Sequence, residues 1–180
     1  CDNSLGCTPE QWEYSTFTGF DKAIYTRQPS NPLYSVNIYH SIFDNNQYGV
    51  YADNLSHVTN IRNSYFYVGK NISSKEKTLC TTAYGRGIHI SNSNNFHIEY
   101  NEFELATGVT ISDDVIGIYA FENPSEYDVI YSNKFTGFKL GNLAEKTNRV
   151  ILNDDDNGLV YECNVNEDNL IDFEINGPTP

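Results

Sequence analysis

The segment Ile98-Glu99-Tyr100-Asn101-Glu102-Phe103 shows the pattern that decides the fold of this 180-residue chain. An apolar residue is followed, after a gap of two residues, by Ser or Asn, and one further residue precedes Phe. The same pattern returns in one register at residues 12–17, 38–43, 61–66 and 130–135. A motif that recurs in this way along a chain is typical of stacked structural repeats.

A second element accompanies these repeats, namely a Gly followed by residues that alternate between apolar and other side chains. Its copies begin at Gly49, Gly87, Gly117, Gly137 and Gly158, and at Ala23 with Ala in place of Gly. Alternation with a period of two predicts a strand with one buried face. No apolar stripe with a period of 3.6 residues persists, and this disfavours a helical fold.

Together the two elements predict an all-β fold, a single-stranded right-handed parallel β-helix (solenoid) of about six coils with loop insertions. Successive Phe residues are 23 residues apart from Phe43 to Phe66 and 37 apart from Phe66 to Phe103. The shorter spacing fits one coil of three short strands. A β-sandwich also uses short alternating strands, but its strands have no reason to repeat one motif in one register.

We expect the repeated positions to form columns inside the stack, because equivalent residues of successive coils lie above one another at about 4.8 Å. The aromatic column comprises Phe17, Phe43, Phe66, Phe103 and Phe135. The apolar column beside it comprises Trp12, Ile38, Ile61, Ile98 and Ile130. The polar position is predicted to lie inside a turn and to bond to the next coil, at Ser15, Ser41, Ser64, Asn101 and Asn133.

The predicted domain organisation is an N-terminal cap segment (1–11), a β-helix domain (12–175) and a linker to a following segment (176–180). The chain contains no Met and begins at Cys1, so we expect an excerpt or processed form of a longer chain. Neighbouring domains of that chain are its expected partners. Four Cys, 14 Tyr and 10 Phe favour an extracellular protein, secreted or at the cell surface.

The formal net charge is −13, and the 11 basic residues are scattered along the chain. Nucleic acid and anionic lipid require a concentrated cationic surface, so neither is an expected partner. No apolar run approaches the roughly 20 residues that a membrane helix needs, and we predict no membrane span. A neutral glycan, a cation or another protein surface remains a candidate ligand.

At the repeats the chain resembles the right-handed parallel β-helix (pectate-lyase-like) superfamily, whose coils read Gly-Ile-x-Ile and then apolar-x-Ile-x-x-Asn-x-Phe. The resemblance covers about residues 12–175. Residues 158–164, Gly-Leu-Val-Tyr-Glu-Cys-Asn, are also similar to a closing coil in secreted surface proteins of Bacteroidetes-type bacteria. The latter resemblance implies an exported protein, often a modular adhesin.

The superfamily contains pectate lyases, polygalacturonases and glycosidases, but their catalytic motifs do not transfer to this chain. We expect the outward column of the Gly-led strands to hold no carboxylate, since it reads Tyr25, Tyr51, His89, Tyr119, Lys139 and Val160. Only Asp113-Asp114 resembles the Asp group of a polygalacturonase, and it lies off the expected strand. We therefore predict a non-catalytic structural or adhesive module. The alternative is a carbohydrate-active enzyme, a polysaccharide lyase or glycoside hydrolase, or a glycan-binding domain.

The outward rings of Tyr25, Tyr51, His89 and Tyr119 are the candidate glycan-binding residues. Flat aromatic faces suit the C–H groups of sugar rings, although aromatic residues also stack on neighbouring coils for stability alone.

A second candidate is a calcium site at Asp154, Asp155 and Asp156. This cluster lacks the spaced Asp-x-Asp-x-Asp pattern, so we favour a solvated turn and predict no cofactor.

The cysteines and histidines show no catalytic or metal-binding spacing. Cys163 continues the alternation of Leu159 and Tyr161, which predicts a buried structural thiol, while disulfide connectivity stays open. The histidines are expected to be surface or packing residues, at His40, His57, His89 and His97.

Overall fold

The structure is a computed structural model that describes residues 14–27, 35–55, 59–70, 84–123, 127–149 and 158–177. Within these residues the chain is all-β, with 17 strands and no helix, and its strands form three parallel sheets. In the same residues no helix has the length and apolar character needed to cross a membrane.

Each sheet collects every third strand of the chain. Sheet A contains β1 (Ser15–Thr18), β4 (Ser41–Asn46), β7 (Tyr65–Val68), β10 (Glu102–Leu105), β13 (Lys134–Thr136) and β16 (Val165–Glu167). Sheet B contains β2 (Lys22–Arg27), β5 (Tyr48–Asp53), β8 (Tyr84–Ser91), β11 (Asp114–Phe121), β14 (Leu140–Glu145) and β17 (Ile171–Asn176). Sheet C contains β3 (Asn37–Tyr39), β6 (Thr59–Arg62), β9 (Phe96–Glu99), β12 (Val129–Tyr131) and β15 (Val160–Glu162).

The chain therefore passes through sheets A, B and C in turn, and each strand pairs in parallel with the strand three places further on. Paired strands carry equivalent residues of the sequence repeat. The all-β class and the parallel pairing predicted from the repeats are both confirmed.

The two predicted columns lie in the core, which also contains inward residues of sheet B such as Ile88, Ile90 and Ile118. The aromatic column pairs in order through Phe17, Phe43, Phe66, Phe103 and Phe135. Its ring centroids are 4.6–5.1 Å apart and its rings nearly parallel. The apolar column pairs through Ile38, Ile61, Ile98 and Ile130, while Trp12 lies outside the described residues. Burial of each such side chain contributes about 1.5–3 kcal/mol to the free energy of folding.

Buried polar side chains connect equivalent segments of the chain at the corner where it passes from sheet C to sheet A. Asn101 accepts the backbone N–H of Ser64 at 3.0 Å and donates to the carbonyl of Ile61 at 2.8 Å. We call this column the amide ladder; its members are Ser41, Ser64, Asn101, Asn133 and Asn164. The first four were predicted, and the ladder satisfies turn backbone groups that strands cannot reach.

Ser15 differs from the other predicted ladder positions, because it is exposed in β1, the edge strand of sheet A. A second ladder, not predicted from the sequence, lies at the corner where the chain leaves sheet B. There the N–H of Leu55 donates to Ser93 at 3.1 Å, and the N–H of Ser93 donates to Asn123 at 2.9 Å.

The residue before each amide-ladder position has a left-handed backbone. These corner residues, with φ of 50–56°, are His40, Asn63, Tyr100, Ser132 and Cys163. Residues other than Gly seldom adopt this backbone conformation, yet at these corners it turns the chain from sheet C into sheet A. The prediction that Cys163 is buried is wrong: its thiol is free and exposed, because Cys163 occupies the corner rather than continuing the strand.

The Gly-led strands are confirmed at Gly49, Gly87 and Gly117, which lie where sheet B approaches the aromatic column. A Cβ atom added at Gly87 would lie 2.6 Å from the Gly117 carbonyl oxygen and 2.9 Å from the Phe103 ring. The equivalent residue in the next strand is Gly141, not the predicted Gly137, since Ile118 pairs with Asn142.

The outward column of sheet B consequently continues at Leu143 and Glu174, and not at Lys139 and Val160 as predicted. The prediction that this column holds no carboxylate is therefore wrong at Glu174. Val160 pairs with Val129 in sheet C, whereas Lys139 precedes β14. A Gly followed by apolar residues describes a corner as well as a strand, so the pattern alone could not separate the two.

Candidate functional site

The four ring residues predicted to share one face do so. Tyr25, Tyr51, His89 and Tyr119 are consecutive register partners on β2, β5, β8 and β11. Tyr25 is 52 % exposed, and the other three are half-buried. Together with their neighbours they form what we call the ring face: Lys22, Tyr25, Tyr48, Tyr51, Tyr84, Arg86, His89 and Tyr119.

The rings of the column pack against one another. Tyr51 and His89 are stacked at a centroid distance of 4.4 Å, and His89 meets Tyr119 edge to face at 4.9 Å. Tyr25 is tilted against Tyr51 at 5.5 Å. Each such pair contributes about 0.5–1.5 kcal/mol beyond its buried area, so the column also stabilises sheet B.

A second row of rings, not predicted from the sequence, lies beside the column. Tyr48 is 5.2 Å from the Tyr51 ring and 5.9 Å from the His89 ring, and its hydroxyl is hydrogen-bonded to that of Tyr84 at 3.0 Å. Tyr48 immediately precedes the Gly that begins its repeat, and it pairs with Arg86. The position directly before the Gly is the sequence feature that could have identified this second row.

Two cations lie over these rings. The Lys22 ammonium is 3.9 Å from the Tyr51 centroid and 4.4 Å from that of Tyr25. The Arg86 guanidinium is 4.5 Å from the Tyr84 centroid, and it donates to the backbone carbonyl of Asp114 at 3.0 Å. Cation–π contacts of this kind contribute about 0.5–2 kcal/mol. Two side-chain cations of the chain itself therefore already contact the rings of the ring face.

The ionisation of the ring face favours neutral side chains. Burial, followed by the charge of Arg86, lowers the pKa of His89 to about 4, so its imidazole is neutral at pH 7. Burial, followed by a hydrogen bond to Tyr84, raises the pKa of Tyr48. Burial, followed by the hydrogen bond to Glu145, raises the pKa of Tyr119. These phenols keep their protons and act as hydrogen-bond donors.

Hydrogen-bonded carboxylates lie along one edge of the ring face. The Ser91 hydroxyl donates to Asp53 at 3.0 Å, and Arg27 lies 3.8 Å from the same carboxylate. The Tyr119 hydroxyl donates to Glu145. Asp53 and Ser91 are register partners at this edge.

Comparison with family models, curated proteins and solved structures finds no match.

The remaining acidic candidates do not form a site in the described residues. Asp113 accepts the backbone N–H of Thr110 at 2.7 Å within a turn, and the carboxylate of Asp114 lies 3.6 Å from Arg86. No group of three or more His, Cys, Asp or Glu side chains able to hold a metal occurs in the part of the chain that the structure describes. Asp154, Asp155 and Asp156 lie outside that part, and the calcium site stays a prediction.

Proposed function

We propose that the chain is a right-handed parallel β-helix of about six coils, a non-catalytic adhesive module of a secreted or cell-surface protein that binds a neutral glycan on its ring face. The observation that carries the proposal is the row of Tyr25, Tyr51, His89 and Tyr119 on consecutive paired strands.

The parallel pairing of every third strand supports the solenoid. A chain that visits three sheets in turn and returns in register winds about one axis, and each added circuit extends the same columns. Such a scaffold presents outward side chains at the strand spacing of about 4.8 Å and holds them rigidly. Rigid presentation reduces the entropy lost when a ligand binds.

The charge balance of the ring face supports a neutral, hydroxyl-rich ligand. Lys22 and Arg86 already contact rings, and the carboxylate of Asp53 already accepts a hydrogen bond from Ser91. An ionic ligand would have to disrupt these contacts, whereas sugar hydroxyls can add hydrogen bonds to them. The exposed ring of Tyr25 offers an apolar surface for sugar C–H groups.

A glycan array followed by calorimetric titration of the best neutral oligosaccharide tests this proposal. We expect Tyr25→Ala to weaken binding about tenfold, which corresponds to the loss of one aromatic contact. The matched control is Tyr39→Ala, because Tyr39 is 45 % exposed but lies on sheet C.

Binding of no neutral glycan, or equal binding by Tyr25→Ala and the unmodified chain, would remove the ring face as the site. The enzyme alternative is tested with the same oligosaccharide by measuring new reducing ends or unsaturated products. Turnover would overturn the non-catalytic part of the proposal.

A further inference from the structure

A groove separate from the ring face lies at the corner between sheets C and A. Its volume is about 330 Å³. We call it the corner groove, and its lining side chains are Tyr14, His40, Asn63, Tyr65, Tyr100 and Glu102, with Ser64 beside them.

The fold builds the corner groove from left-handed corner residues and the strands that follow them. His40, Asn63 and Tyr100 hold φ of 50°, 51° and 56° at equivalent places of three successive coils. Tyr65 and Glu102 begin β7 and β10 and are register partners. The amide ladder fixes the backbone between these two sets, so the groove is held in shape without a ligand.

The rings of the groove are inclined to one another and do not stack. Tyr14 meets Tyr65 at a centroid distance of 5.7 Å and an interplanar angle of 61°. The same Tyr14 ring is 6.1 Å from His40 at 74°. Tyr100 is 52 % exposed. Rings in this arrangement form walls, and the half-exposed rings of Tyr14 and Tyr100 keep part of their aromatic surface open to a cation.

The corner groove carries a negative charge. Glu102 is the one carboxylate among its lining residues; its register partner Lys134 forms an ion pair with Glu167 at 2.9 Å and interacts more weakly with Glu102. The charge of Glu102 is the main cause that raises the pKa of Tyr65, so the carboxylate and the ring interact. Burial lowers the pKa of His40, whose ring is therefore neutral at pH 7 and does not repel a cation.

We propose that the corner groove binds a small organic ammonium ion, held between the rings of Tyr14, Tyr65 and Tyr100 with the Glu102 carboxylate as its counter-ion. An anion would be repelled by Glu102. A hard metal ion requires several oxygen ligands, and the groove offers a single carboxylate. An alkylated ammonium group is weakly hydrated and gains most from aromatic walls.

Choline is the probe for this site, and its neutral isostere 3,3-dimethylbutan-1-ol has the same shape without the charge. Titration followed by NMR shifts of the Tyr100 and Tyr65 rings should give at least about tenfold tighter binding of choline than of the isostere. Equal affinities, or no shifts with choline, would overturn the proposal.

Two substitutions locate the site. We expect Glu102→Gln to weaken choline binding about tenfold, while Glu104→Gln, on the same strand but outside the groove, should change it less than about twofold. Tyr100→Asn removes a wall with a residue that tolerates φ > 0, as Asn63 does one coil away. Its control is Tyr67→Ala, a 37 % exposed ring on sheet A.

Circular dichroism melts confirm that each variant is folded before its affinity is measured. Full choline binding by folded Glu102→Gln or Tyr100→Asn would show that the site lies elsewhere and refute the proposal. Preferential binding of a neutral sugar to the groove would refute it as well. Neither result bears on the ring face, whose test substitutes Tyr25.

Discussion

The ring face and the corner groove both gather tyrosine and histidine rings, but they differ in the charges that accompany them. On the ring face, Lys22 and Arg86 already lie over the rings. In the corner groove the charged lining residue is Glu102. Aromatic content alone therefore does not define a ligand class, because the charged neighbour determines whether the rings are available to a cation.

The two surfaces also differ in how the backbone presents them. Ring-face side chains project from paired strands of sheet B, so strand pairing fixes their spacing. Corner-groove side chains include left-handed corner residues, which the amide ladder holds in place. Damage to the ladder should thus affect the groove, and damage to sheet B should affect the ring face.

The largest effect is expected for Asn101→Leu. This change removes the bonds that Asn101 makes to the N–H of Ser64 and the carbonyl of Ile61, and it leaves both groups buried without their partner. Unfolding free energy should fall by about 3 kcal/mol, and choline binding should be lost while glycan binding persists. Urea denaturation measures the free energy of unfolding, and Asn176→Leu, at an exposed asparagine, is the control. An unchanged midpoint would contradict the role of the ladder.

Gly87→Ala should produce the converse result. Its new Cβ would lie 2.6 Å from the Gly117 carbonyl oxygen and 2.9 Å from the Phe103 ring, so the sheet-B backbone must shift two residues from His89. We expect the free energy of unfolding to fall by about 2 kcal/mol and glycan binding to weaken, while choline binding is retained. Gly177→Ala, where no atom lies within 4 Å, should be neutral. Equal losses at both surfaces would mean that they are not independent.

The ring face should also respond to pH through His89. Its pKa is about 4 in the folded chain against 6.5 for a free side chain, so between these values the unfolded chain binds more protons. Stability therefore rises with pH in this window and is lost as pH falls from 6.5 toward 4. Because the ring is partly exposed, we expect the free energy of unfolding to fall by only about 1 kcal/mol from pH 6.5 to pH 5. The free energy of unfolding of His89→Gln, measured by chemical denaturation, should lack this pH dependence. Equal pH dependence in the variant and the unmodified chain would contradict the lowered pKa of His89.

The smallest effect on stability is expected for Lys22→Met. Methionine retains an apolar stem but no charge, and the loss of the cation over Tyr51 should lower stability by about 0.5 kcal/mol. The informative readout is a gain of function: combined with Glu102→Gln, the change should let choline bind the ring face. Lys139→Met, at an exposed lysine away from the rings, is the control. Failure to gain choline binding would weaken the charge-based comparison.

Sequence patterns predicted the parts of the molecule that repeat. The aromatic column and the amide ladder were found because one motif carries both Phe103 and Asn101. The cations of the ring face were missed, since Lys22 and Arg86 follow no apolar period and contact rings of neighbouring strands as well as of their own.

The corner groove had still less signal in the sequence. Its left-handed positions are occupied by chemically different residues, including His40, Asn63 and Tyr100, so no residue type marks the conformation. The ladder residue that follows each of them is the better marker of such a corner.

The amide ladder has a consequence for how this chain can change over evolutionary time. Successive ladder contacts join residues 23, 37, 32 and 31 positions apart, yet the residues three before and two after each ladder position stay register partners. The length of the chain between two ladder residues can therefore vary without changing how the core strands align. A lineage, or a protein engineer, can lengthen the connections between ladder residues and vary what the molecule displays while the inherited interior stays the same.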